Sequence, residues 1–196
     1  MQANIFEGGF TDPVFTSQAV FRAVMDAFAR PGTIADLGDV AQAPAPVPAA
    51  AAAILLTLAD FDTPVWFETA DSTAAAEWLS FHTGAAATRD VATASFVLLA
   101  EDTDAEGWSD FPRGTAEYPD RSATLLLPVA GLEGGQRLSL QGPGIEETAT
   151  IAPRGLPRGF IEAMRANRSL YPLGFDVVLV CGTQALALPR TTRIEV

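Results

Sequence analysis

The chain has 196 residues, and its 24 acidic against 12 basic side chains give a formal charge of −12 at pH 7. Every basic residue is an arginine, and cysteine and histidine occur once each, as Cys181 and His82. That excludes a Schiff-base enzyme and a P-loop nucleotidase, which need a lysine, and an internal disulfide; a cysteine–histidine zinc centre or catalytic pair would have to use both single copies at once.

Along the chain, residues 17–30 place Val20, Phe21, Val24 and Phe28 at helical spacing, with Thr16 or Ser17 as the N-cap and Pro31-Gly32 as the stop. The alanine- and proline-rich stretch 41–53 reads as a loop feeding a helix, since Pro48 suits a first turn and residues 49–59 continue with strong helix formers. Asp60-Phe61-Asp62-Thr63-Pro64 then turns the chain into a short strand at 65–68, the two aspartates bonding backbone N–H groups of the turn. A helix is predicted over Thr73–Thr83, closed by Gly84.

Residues 95–100 and 123–129 are apolar runs of buried-strand length, separated by a turn-rich loop at 107–121. Gly134-Gly135 predicts a hairpin into a strand at 137–140, and a further strand is expected at 148–151. Pro157 opens a helix that buries Phe160, Ile161 and Met164, and Pro172 ends it. Residues 177–181 and 185–188 form an antiparallel pair around Gly182-Thr183. Helices alternating with strands, and hairpins late in the chain, predict an α/β fold with a mixed sheet, in one domain covering 1–196.

The charge is unevenly spread: residues 154–196 hold six of the arginines and only three acids, Glu162, Asp176 and Glu195. Such an acidic chain offers no electrostatic footprint for nucleic acid. The longest apolar stretch, roughly 44–58, is too short for the ~20 residues of a membrane span. No basic residue precedes Arg22, so no secretory leader is expected, and with a lone cysteine the cytoplasm is the expected compartment.

Motifs that bear on chemistry are few. His82, beside Trp78 and Phe81, reads either as a packing residue or as a base or anion contact. Asp60 and Asp62 lack the companions of a calcium loop, and Gly142-Pro143-Gly144-Ile145 lacks the third glycine of a dinucleotide fingerprint. No metal, cofactor or catalytic set is expected. The C-terminal arginines pair with the chain's own carboxylates or meet an anion through bidentate bonds.

Tyr171-Pro172-Leu173-Gly174-Phe175-Asp176 and Pro189-Arg190-Thr191-Thr192 carry a further signal. Together with Phe21-Arg22, Pro31-Gly32, Leu55-Leu56-Thr57-Leu58-Ala59-Asp60, Asp62-Thr63-Pro64-Val65-Trp66, Phe81-His82-Thr83 and Gly142-Pro143-Gly144-Ile145, they stand in an order and spacing that resembles the H-subunit family of the carbon-phosphorus lyase core complex. The resemblance runs from about Phe10 to Val196, and stretch 41–53 is its least family-like part.

That resemblance implies a three-layer α/β/α sandwich like the large domain of pyridoxal-phosphate-dependent transferases, without the cofactor. It also implies a homodimer that joins G, I and J subunits in bacterial phosphonate breakdown. There a phosphonate displaces adenine from ATP to give a ribose 1-phosphonate 5-triphosphate, a step attributed chiefly to the I subunit. Iron-sulfur radical cleavage of the carbon-phosphorus bond belongs to the J subunit. The H subunit is then accessory and has no catalytic list to transfer. Arg190, Thr191, Thr192, Tyr171 and Leu173 are the candidate partner contacts, and removal of Arg190 is expected to spare the folded monomer. The alternative is a stand-alone binding protein or enzyme for a phosphorylated or phosphonylated metabolite, with Arg190 and His82 around the anion.

Overall fold

Asp12 starts the first helix by accepting a hydrogen bond from the Phe15 amide, with Pro13 in the first turn where no amide partner is needed. In the computed structural model, which describes residues 5–196, α1 therefore spans Pro13–Ala29. It begins one turn before the expected Thr16 or Ser17 cap, because an Asp-Pro pair caps more effectively than a threonine already inside the turn. Its buried residues are Val20, Val24 and Ala27. Phe21, expected on that face, is 47% exposed, since consecutive helical residues point ~100° apart.

The remaining elements are β1 (Ile34–Asp36), α2 (Ala49–Leu58), β2 (Val65–Phe67), α3 (Thr73–Thr83), β3 (Phe96–Leu98), β4 (Thr124–Pro128), β5 (Leu138–Gln141), β6 (Ala149–Ile151), α4 (Phe160–Ser169), β7 (Asp176–Cys181), β8 (Gln184–Leu188) and β9 (Arg193–Glu195). Two 3-10 helices, Val91–Thr93 and Ala105–Asp110, complete the set. The second begins within a few residues of the stretch read as loop.

Six strands form one mixed sheet in the order β1-β8-β7-β4-β3-β2. Strands β2, β3, β4 and β7 run parallel, and β8 and β1 add antiparallel pairings. Successive strand residues point to opposite faces. Leu126, Val178 and Val180 face one core with α1, α2 and α3, whereas Leu125, Leu127, Val177 and Leu179 face another with α4, Trp108 and Phe160. Most of helix α2 is covered all round, with Ala50 to Leu55 at 1% exposure or less, as suits a strongly apolar helix.

A second sheet, β6-β5-β9, packs its Leu138, Leu140, Ile151 and Ile194 side chains into the α4 core. The outer layer on this side is thus part helix and part sheet. Gly134-Gly135 is not a hairpin: it carries the chain from β4 in the large sheet to β5 in the small one. Gly135 donates to the Ala152 carbonyl, and a Cβ there would lie 2.0 Å from the Pro153 oxygen. Close approach to the segment that follows β6, not a reversal, is what requires glycine at that position.

On α4, Ile161 is half-buried, and Asn167 takes its place on the buried face. Asn167 is 3% exposed; its Nδ2 donates to the Phe175 carbonyl at 2.8 Å and its Oδ1 accepts from the Phe175 amide at 2.9 Å. The side chain thereby closes the α4–β7 connection as a strand neighbour would. Asn167→Ala leaves two buried backbone groups unpaired and is expected to cost about 2 kcal/mol, lowering the melting temperature by roughly 4–8 °C in calorimetry. A change below about 2 °C would remove that role.

Candidate functional site

The tail motifs are held together by Arg190. Its Nε and Nη2 donate to Asp176 Oδ1 and Oδ2 at 3.2 and 2.5 Å, Nη1 donates to the Pro119 carbonyl at 2.8 Å, and Nη2 also donates to Ser122 Oγ at 2.5 Å. The Arg190 amide donates to the same carboxylate. The two side chains are 14% and 20% exposed, so this is a largely desolvated bidentate pair that ties β7, the end of β8 and the loop before β4 into one unit.

Around that unit lies a shallow groove of about 460 Å³ lined by Phe28, Pro119, Tyr171, Pro172, Pro189 and Thr191 among others. Tyr171 is 64% exposed and Leu173 and Thr191 are half-buried. Thr192 is inside, at 2% exposure, its Oγ1 buried without a hydrogen-bond partner. Of the tail candidates, Tyr171, Thr191 and the edge of Arg190 therefore meet at the groove, while Thr192 supports it from beneath.

Gly142-Pro143-Gly144 locks the groove to α1. A Cβ at Gly144, where φ is +82°, would lie 2.1 Å from the Ala29 carbonyl oxygen, and one at Gly142 would lie 3.0 Å from the Thr191 oxygen. Both glycines allow backbone contact, so the motif sets the end of α1 against the tail. Phe28, which lines the groove, belongs to the same helix.

From Phe28 an apolar stripe runs back along the solvent side of α1. Val14, Phe21 and Phe28 are seven residues apart, and Met25 stands between the last two. Val14 is 61% exposed, the neighbouring Phe15 72%, Phe21 47% and Met25 51%. The charges on this helix are few, Arg22 and Asp26, with Arg30 just beyond it pairing back to Asp26 at 3.1 Å. An exposed apolar row of this kind is a candidate contact surface for another chain. Composition could not reveal it, since a heptad of Val, Phe and Phe reads as core; the signal was the presence of two apolar faces on one helix.

His82 lies elsewhere. Its ring packs 5.0 Å from those of Trp78 and Phe81, Nε2 is buried with no partner, and a Cβ at Gly9 would lie 2.7 Å from the ring's Cε1 and Nδ1. The Trp78 indole donates to the Glu7 carbonyl at 2.8 Å, so α3 holds residues 7–9 of the N-terminal segment through this cluster. No described contact joins His82 to Arg190, and the two do not share a neighbour that would make an anion site of the pair. Asp60 Oδ1 accepts from the Asp62 amide and the Thr63 hydroxyl, as the turn reading expected of it, whereas among the described residues the Asp62 carboxylate takes no backbone N–H of the turn. Among the described residues no group of three or more His, Cys, Asp or Glu is placed to hold a metal, and no helix is long and apolar enough to cross a membrane.

The fold defines a mixed α/β protein with a row of exposed apolar side chains along α1. The chain belongs to the family of bacterial phosphonate metabolism proteins termed PhnH, whose pattern matches residues 8–195. It is 47% identical over 195 residues, 99% of this chain and 98% of the relative, to the alpha-D-ribose 1-methylphosphonate 5-triphosphate synthase subunit PhnH of Rhizobium meliloti (strain 1021). It is also 31% identical over 179 residues, 91% of this chain and 85% of the relative, to HtxG of Stutzerimonas stutzeri, whose name links it to C-P lyase.

Proposed function

We propose that this chain is an accessory subunit of a carbon-phosphorus lyase core complex, required for organic phosphonate breakdown and without catalytic residues of its own. The observation that carries the reading is the end-to-end match, at 47% identity, to a relative named as a subunit of ribose methylphosphonate triphosphate synthase. The scarcity of lysine, histidine and cysteine supports an accessory role, and the exposed stripe on α1 supports an assembled state.

In this reading the single domain acts in the cytoplasm as a homodimer. The α1 stripe is its dimer surface, and the groove beside Tyr171 and Thr191 faces the G, I or J subunits. A central sheet covered on both faces fits descent from the large domain of pyridoxal-phosphate-dependent transferases, and without a lysine the cofactor's aldimine has no place to form.

The test is recovery of the tagged protein from its native host grown on a phosphonate as sole phosphorus source, with mass spectrometry of what accompanies it. Stoichiometric G, I and J subunits are expected. A protein recovered by itself under those conditions would overturn the proposal and favour a stand-alone metabolite-binding role.

A further inference from the structure

Away from the tail groove, a cavity of about 700 Å³ opens between the 3-10 helix Ala105–Asp110 and α4. Small-molecule sites typically measure ~300–1,000 Å³, with a mostly apolar lining and a few convergent polar groups. Ala163, Ala166, Leu170 and Phe175 give this one an apolar wall.

Trp108 completes the wall, is 2% exposed, and its indole Nε1–H is buried without an acceptor. The rings packed edge-on against it, Phe160 and Phe175, at 5.9 and 6.0 Å between centroids, supply no oxygen. Leaving such a donor unpaired costs ~1–3 kcal/mol, and nearly all buried polar groups in native proteins are paired. Among the described residues no acceptor meets this donor.

Two guanidiniums border the same cavity, each side chain with a single described partner. Arg113 donates to the Ser109 carbonyl. Arg158 reaches Glu106 at 3.4 Å, with the two side chains 83% and 73% exposed, an ion pair that contributes little in water. Glu106 and Glu162 lie on the lining as acceptors.

We propose that this cleft binds a small organic anion. Its anionic oxygens accept from Trp108 Nε1 and from Arg113 or Arg158, its apolar body lies over the Ala163–Leu170 side of α4, and any hydroxyl or ammonium it carries meets Glu106 or Glu162. The site is independent of the subunit role, because it shares no residue with the α1 stripe or the tail groove.

Indole ¹⁵N–¹H spectra of the isolated full chain test it, since each of Trp66, Trp78 and Trp108 gives one signal. Trp108→Phe assigns the signal in question; should that variant fail to fold, Trp66→Phe and Trp78→Phe assign it by elimination. Benzoate and phenyl phosphate are the probes, one a carboxylate and one a phosphoryl anion, with benzylamine as a cation of similar size. The expected result is a saturable shift of the Trp108 signal with half-saturation near ~1 mM, at least tenfold weaker in Arg113→Gln/Arg158→Gln. The anion that saturates first identifies the headgroup. Absence of a saturable shift, an equal response to benzylamine, or an unchanged response in the double arginine variant would overturn the proposal.

Discussion

Arg190→Ala is expected to lower the melting temperature by roughly 6–12 °C, the effect of about 3 kcal/mol in a chain of this size. The substitution removes the bidentate partner of Asp176, leaves a carboxylate that is only 20% exposed without its counter-charge, and frees the Pro119 carbonyl and the Ser122 hydroxyl together. Breaking a buried pair on one side costs far more than replacing both partners. Arg190→Met combined with Asp176→Leu should therefore recover part of the loss. A melt of Arg190→Ala within about 2 °C of the parent would show that the network is idle, and would restore the expectation that this arginine can be removed without harm to the monomer.

The second large effect concerns association, not folding. Phe21→Glu/Met25→Glu puts two charges in the middle of the α1 stripe, at positions about half-exposed in the monomer, so the fold should hold. A central aromatic anchor often contributes about 2 kcal/mol or more, so the proposed homodimer should weaken at least ~30-fold. Sedimentation at micromolar concentration should then find a monomer with an unchanged far-ultraviolet spectrum. A variant that remains as dimeric as the parent would move the dimer surface off α1. If both parent and variant are monomers, the stripe belongs to a different subunit, and loss of that subunit from the purified complex becomes the readout.

Local rules gave much of the architecture. Helix α3 occupies Thr73–Thr83 and stops at Gly84 in the left-handed conformation, because alanines and a following glycine decide a helix from its own sequence. The β7–β8 hairpin forms at Gly182-Thr183 as its apolar runs predict, pairing Cys181 with Gln184. The division of strands into two sheets was not legible, since β5 takes one partner, β6, from nearby but the other, β9, from more than 50 positions away. Three-residue strands such as β1 and β9 were missed for the same reason: too short to show a period, they are strands because β8 and β5 accept them.

The site was legible as a place more than as a mechanism. The Tyr171 and Arg190 segments do converge, but Arg190 is held by Asp176, and Thr192 is inside. No local pattern announces that an arginine's partner lies 14 residues earlier on an adjacent strand. Trp108 lies in a stretch read as loop, and its importance comes from burial beside α4, which only tertiary packing reveals.

The pairing order also constrains how the chain comes off the ribosome. Strand β4 must wait for β7, β1 for β8 and β5 for β9, so neither sheet reaches its full width until residues 176–195 have been made. Until then one edge each of β4 and β5 has no partner strand, and α2, though packed on α1 and α3, lacks β7, so the nascent chain is a natural client for a holding chaperone. A stop codon placed a few residues before β8 should yield insoluble product, not a shortened folded subunit, which makes the last tenth of the translation run the step that commits this protein to its structure.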